Sequence, residues 1–149
     1  MKKAADIMTT TVITVTTGTS VQELAKILSD NNISGVPVVD ETGNLLGIVT
    51  ESDLIDQTKK LHIPTVVTIL DSVFYLENPD RMEKEMKKMA GTTVLDIYSS
   101  KLITVNEETT LDEIATLMAE KNIHTLPVVQ DNVLTGVIGK KDIIKTLIS

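Results

Sequence analysis

The sequence predicts a mixed α/β (α+β) fold in which one β-α-β-β-α unit occurs twice. The first ground is self-similarity: at an offset of 90, residues 6–42 match residues 96–132 at 13 of 37 positions, and several of the other positions exchange one apolar residue for another. The second is periodicity, because short β-branched runs alternate with stretches whose apolar residues recur every three or four positions. The third is size. Each half of a 149-residue chain is too short to bury a generous core alone, so the two copies are expected to share one. A duplicated unit also creates two related clefts.

Residues 12–15 open the first copy as a short strand. Thr19 or Ser20 opens a helix, with Glu23 three residues beyond Ser20 as a capping box, and Val21, Leu24, Ala25 and Leu28 form its apolar stripe. Residues 36–39 and 45–50 are apolar runs separated by the turn-rich Asp40-Glu41-Thr42-Gly43-Asn44, which predicts an antiparallel hairpin. A second helix starts around Ser52. The other copy repeats the scheme, with a box at Thr110 and Glu113, a stripe of Leu111, Ile114, Ala115 and Met118, and a turn at Gln130-Asp131-Asn132 that is one residue shorter. The organisation is therefore a repeat over 1–56, a connector over 57–95 and a repeat over 96–149. Within the connector, residues 65–76 read as a strand or a buried helix, Asn78-Pro79-Asp80 starts a helix, and Met82, Met86 and Met89 share one of its faces, suited to packing or to docking.

Composition removes several function classes. There is no cysteine, so disulfides and thiolate metal ligation are unavailable. Net charge is -7 and the aromatics are Phe74, Tyr75 and Tyr98, which supplies neither a phosphate-tracking face nor a stacking platform for nucleic acid. No apolar h-region follows Met1-Lys2-Lys3, and no run approaches the roughly 20 apolar residues of a membrane span, so the expectation is a soluble, cytoplasmic protein. No P-loop, GxGxxG, HExxH or GxSxG motif is present, and neither histidine has the context of a nucleophile or metal site. An enzyme is not expected, and no metal is predicted.

One motif carries chemistry. Gly47-Ile48-Val49-Thr50-Glu51-Ser52-Asp53-Leu54 runs from a strand end through hydroxyl-bearing residues into a helix start, where free N–H groups favour an anion and the hydroxyls of Thr50 and Ser52 add donors. Asp53 can accept hydrogen bonds from a vicinal diol such as a ribose, and the flanking apolar strands give a purine a dry slot. The same Thr-x-x-Asp pattern is also an ordinary helix cap worth about 1 kcal/mol. In the second copy the stretch reads Gly136-Val137-Ile138-Gly139-Lys140-Lys141-Asp142, which keeps the acid and loses both hydroxyls. Lys140 and Lys141 either meet a phosphate or are solvated. The cleft built on Asp53 is expected to be the better of the two.

The duplicated pattern, the Val-Pro-Val-Val-Asp and Leu-Pro-Val-Val runs and Gly-Ile-Val-Thr-Glu-Ser-Asp-Leu resemble a CBS-domain pair, or Bateman module, over nearly the whole chain except the connector. The resemblance implies two repeats packed with pseudo-twofold symmetry, a disc-like homodimer, and clefts that bind AMP, ADP, ATP or S-adenosylmethionine. It gives Asp53 the ribose hydroxyls and Thr50 and Ser52 the phosphate or ribose side, and in the second copy it carries over only Asp142. Gly139 and Lys141 depart from the family pattern. His124 falls where some members, including the regulatory subunit of AMP-activated kinase, place a phosphate-facing basic residue, although the other copy has Ser34 there. Two functional readings follow. One is a regulatory module that senses an adenosine-containing nucleotide and passes its state to a regulated protein; the other is a ligand-independent structural or dimerisation module acting through protein contacts.

Overall fold

The computed structural model describes residues 1–60 and 91–148. His62, the run over 65–76, the Asn78-Pro79-Asp80 helix start and the methionine stripe lie outside the described residues. The first copy comprises α1 (Ala4–Ile7), α2 (Val21–Asn31), β1 (Gly35–Val39), β2 (Leu45–Thr50) and α3 (Glu51–Lys60). The second repeats it as α4 (Val94–Ile97), α5 (Leu111–Glu120), β3 (Thr125–Gln130), β4 (Val133–Gly139) and α6 (Lys140–Thr146).

Local chemistry sets these boundaries. Ser20 Oγ accepts from the Glu23 N–H at 3.1 Å and Thr110 Oγ1 from the Glu113 N–H at 3.3 Å, which starts α2 and α5 where their boxes predict. Val21, Leu24 and Leu28 of α2 are buried, as are Ile114 and Met118 of α5; Ala25 lies at the exposed edge of its stripe. Asn32 ends α2 in the left-handed region at φ 51°, donating its N–H to Leu28 and Ser29, and Asn122 adopts φ 54° at the matching place. Asparagine tolerates that conformation because its short polar side chain bonds locally. The hairpins then pair antiparallel, β1 with β2 and β3 with β4, each with a one-residue bulge, at Val38/Val39 and Val128/Val129.

Residues 12–15 do not form the regular strand expected of them. The Thr9 N–H donates to Val137 O at 2.8 Å, at the edge of the other copy's hairpin, whereas Val15 bonds Pro37 O and Val39 N in its own. The segment between them crosses from one sheet to the other and makes single-residue bridges at both ends, so it cannot align with either. The second copy does the same: Ser99 pairs with Ile48, and Val105 with Val128.

This crossing exchanges the short helices. The N–H groups of Ala4 and Ala5 donate to Thr109 O and Glu107 O of the second copy, and those of Val94 and Leu95 donate to Thr19 O and Thr17 O of the first. Every member of one set is the other displaced by 90 residues, and the two repeats pack with pseudo-twofold symmetry. The interior follows. Among the described residues there are two clusters in place of one shared core: Val15, Leu24, Leu28, Val36, Val38 and Val49 are closed by Val94 of α4, and Val105, Ile114, Met118, Leu126, Val128 and Ile138 by Ala4 of α1. Each copy therefore completes the other's core.

The exchanged segments cross the hairpins at glycines. A Cβ on Gly47 would sit 2.6 Å from the Tyr98 ring and against the Ser99 carbonyl, and one on Gly136 would meet the Met8 side chain, with Cγ at 2.8 Å. At Gly47 the neighbour is backbone held by the Ile48 bridge, so it cannot move aside cheaply. Gly47→Ala is expected to cost about 1–3 kcal/mol in urea unfolding. Gly18→Ala, whose added carbon meets only Thr16 Oγ1 at 3.9 Å, should change stability by less than about 0.5 kcal/mol.

The first hairpin's turn is held by one carboxylate. Asp40 Oδ1 accepts from the Thr42 hydroxyl at 2.8 Å and from the Thr42 and Asn44 N–H groups at 2.9 Å, and these bonds, the Thr42 hydroxyl foremost, hold the acid below its ordinary 3.8. A depressed carboxylate stabilises the fold above its unfolded value and ceases to do so as pH falls through the folded one. The stability gap between the wild type and Asp40→Ala, measured by urea unfolding, should be constant near neutrality and shrink as pH drops below 3.8.

Candidate functional site

Each copy ends its hairpin by running straight into a helix, and an aspartate in the first turn folds back on the junction. Asp53 Oδ2 accepts the Thr50 N–H at 2.9 Å and the Thr50 hydroxyl at 3.2 Å. Asp142 Oδ2 accepts the Gly139 N–H at 2.8 Å. Both side chains are half-buried. The capping role is thus realised in both copies, and it uses one carboxylate oxygen, so Oδ1 of each acid stays free to accept from a diol.

A cavity of about 570 Å³ opens between the copies at the second of these junctions. Asp142, Gly139, Lys140, Lys141 and Lys145 form one side of it, and the first copy contributes Asn32, Ser34, Gly35 and the crossing residues Thr9, Thr11 and Ile13. His124 also lines it, with Nε2 3.4 Å from Asn122 Oδ1. Of the residues singled out in the sequence, His124, Lys140, Lys141 and Asp142 meet here. Thr50, Ser52 and Asp53 do not line this cavity, although Glu51 does. The cleft ranked second from the sequence is the one that the described residues open.

The hairpins carry an inversion at this level. Gly35 pairs with Thr50 in the first, and Thr125 pairs with Gly139 in the second. The two glycines flank the Asp142 cavity, and Thr125 lines it beside them. Ser34 Oγ lies 3.2 Å from Thr125 Oγ1 where the copies meet, and a Cβ on Gly35 would come within 3.1 Å of that same oxygen. Gly139 is not required by backbone geometry, since its φ is -109° and an added Cβ would meet nothing closer than 3.8 Å.

Lys141 is exposed at the cavity, and its Nζ donates to Asn32 O at 3.0 Å, from the second copy to the first. Lys145, which the sequence reading missed, is signalled only by its place four residues after Lys141, one turn along the same face. Ser52 is exposed. Ile13, Ile33, Pro37 and Val137 give the cavity apolar walls, and Thr9 and Thr11 bring hydroxyls to it. A volume of this size with apolar walls and a few convergent polar groups suits a ligand of nucleotide dimensions. Among the described residues there is no group of three His, Cys, Asp or Glu that could hold a metal, and no helix long and apolar enough to cross a membrane.

The sequence profile of the CBS domain matches residues 4–60 and again residues 94–149. The chain is a CBS-domain pair. Such pairs are regulatory modules, and the exchanged helices lie within both matched ranges. The uncharacterized protein MJ1426 of Methanocaldococcus jannaschii is 33% identical to this CBS pair over 135 residues, which is 85% of this chain and 80% of that protein. Inosine-5'-monophosphate dehydrogenase of Helicobacter pylori is 34% identical over 125 residues, 83% of this chain but 20% of the enzyme. Similarity thus runs both to a small protein nearly filled by the pair and to a larger one of which it is a fifth. Among solved structures, the CBS pair of protein MJ0100, in complex with 5'-methylthioadenosine and S-adenosyl-L-methionine, is 28% identical with a TM-score of 0.71, covering 99% of this chain and 100% of that one.

The cap made by Asp142 is separable from its charge by substitution. Asp142→Asn keeps an oxygen for the Gly139 N–H and should unfold within about 0.5 kcal/mol of the wild type, whereas Asp142→Ala loses the cap and should cost about 1 kcal/mol, both read by urea denaturation.

Proposed function

We propose that this CBS pair senses an adenosine-containing nucleotide in the cavity between its two copies and passes the bound state to a separate regulated protein. The observation that carries this reading is the Asp142 cavity itself, where a carboxylate with one free oxygen, apolar walls and three lysines converge from both repeats. Asp142 takes the ribose hydroxyls, Ile13, Ile33 and Val137 flank the base, and Lys140, Lys141 and His124 stand on the phosphate side. The relative MJ0100, whose pair was solved with two adenosine compounds, supports the chemical class. Thr50, Ser52 and Asp53 form a second, narrower site of lower affinity.

The mechanism is differential binding. A ligand that touches Thr9, Thr11 and Ile13 grips the strands of chain that join the copies, while Asp142 and the lysines hold it to the second hairpin. Its binding therefore favours one relative orientation of the repeats and changes the surface they show to a partner. The role is regulatory rather than catalytic, and a cytoplasmic setting belongs to the same reading. So does homodimerisation, which is supported by the exposure of Ile55 on α3 (65%) and of Ile144 on α6 (57%).

The test is thermal unfolding with millimolar AMP, ADP, ATP and S-adenosylmethionine beside guanosine counterparts. A ligand at about 100 times its Kd should stabilise the fold by roughly 2.7 kcal/mol, and only adenosine compounds should do so. Asp142→Asn should weaken binding by about 10- to 150-fold, and Asp53→Asn by less. If no adenosine compound shifts the midpoint of nucleotide-free protein, or if Asp142→Asn leaves the shift intact, the site is misassigned and the ligand-independent module is the better description.

A further inference from the structure

Among the groups that line the Asp142 cavity, positive charge predominates, in a chain whose net charge is -7. Lys140, Lys141 and Lys145 face it, against the carboxylates of Glu51 and Asp142. None of the three lysines is ion-paired: among the described residues the salt bridge is Lys3 with Glu108, far along the exchanged helix, and Lys141 donates to a carbonyl. Asp142 already has one oxygen committed to the Gly139 N–H, which leaves Glu51 as the uncommitted acid. Among the described residues the lining also contains no Phe, Tyr or Trp ring that would favour a sulfonium or ammonium group by its face.

Resting on the nucleotide reading above, we infer that this cavity selects a nucleoside di- or triphosphate and rejects S-adenosylmethionine, with Lys145 as a specificity-determining residue for the outer phosphates. Lys140 and Lys141 line the cavity with Asp142 at the start of α6, on the side taken by the phosphate nearest the ribose. Lys145 lies one helical turn beyond Lys141 on the same face, which places a further ammonium about 6 Å along the cavity wall, the direction in which a phosphate chain extends. A cationic sulfonium ligand would set its charge among three ammonium groups with one uncommitted carboxylate to offset them. Lys141 reaches the phosphate by giving up the Asn32 carbonyl, so a phosphorylated ligand also releases a contact that now ties the two repeats together.

Isothermal titration of the full chain with adenosine, AMP, ADP, ATP and S-adenosylmethionine tests this. ADP and ATP are expected to bind at least about tenfold tighter than adenosine, with S-adenosylmethionine no tighter than adenosine, and the preference should shrink as salt is raised. Lys145→Gln should weaken ADP and ATP by about three- to tenfold and leave adenosine and AMP unchanged, which a merely structural role for that side chain would not do. The inference is overturned, with the nucleotide reading intact, if adenosine binds through Asp142 but phosphates add nothing, if S-adenosylmethionine binds tighter than ADP, or if Lys145→Gln weakens every ligand equally. If no adenosine compound binds, both fall together.

Discussion

The exchange of the short helices α1 and α4 is the constraint from which the rest of the structure follows. Ala4 closes the hydrophobic cluster of the second copy and Val94 that of the first, and each is delivered there by a pair of backbone hydrogen bonds to a loop of the other repeat. Neither repeat can bury its apolar face without a piece of the other, which is how two units of marginal size reach a stable interior. Because each exchanged helix must return to its own sheet, the chain crosses between hairpins at residues 9–15 and 99–105. Those crossings wall the clefts, and they oblige Gly47 and Gly136 to lack side chains.

Within that frame the Asp142 cavity depends on small residues. A glycine and a threonine face each other across each hairpin, but in opposite order, and both glycines border this cavity, with Thr125 beside them. A Cβ on Gly35 would come within 3.0 Å of Thr50 and 3.1 Å of Thr125, and packed interiors leave no slack to absorb extra atoms, so Gly35 keeps its side of the cavity clear.

The aspartates show how one residue serves fold and site together. Each caps the helix that follows its hairpin through a single oxygen, and the cap fixes the carboxylate with its other oxygen free. A side chain held in this way needs no further ordering when a ligand arrives, so less entropy is lost on binding. Capping by the Thr-x-x-Asp pattern is therefore compatible with the ligand contact proposed for it.

Much of this was legible in the sequence, and the reasons for the remainder are physical. The 90-residue repeat, the capping residues Ser20 and Thr110, the apolar stripes of α2 and α5 and the hairpins are local or periodic features, and chain neighbours decide them. Asp53 and Asp142 were found because a motif at a strand-to-helix junction is local too. The helix exchange was not legible, since Asp6-Ile7 and Asp96-Ile97 carry no mark of which copy they will pack against. Nor was the cavity at Asp142: reading along one strand, Thr50 and Ser52 look like assets and Gly139 like a loss. The first copy brings Gly35 to that cavity, a residue about a hundred positions away from Asp142 in the chain. Sequence by itself determined the units, their ends and the acids at their tips. Only the tertiary structure decided which segments those units trade and that a cavity opens at Asp142, because both depend on contacts between residues that the chain keeps far apart.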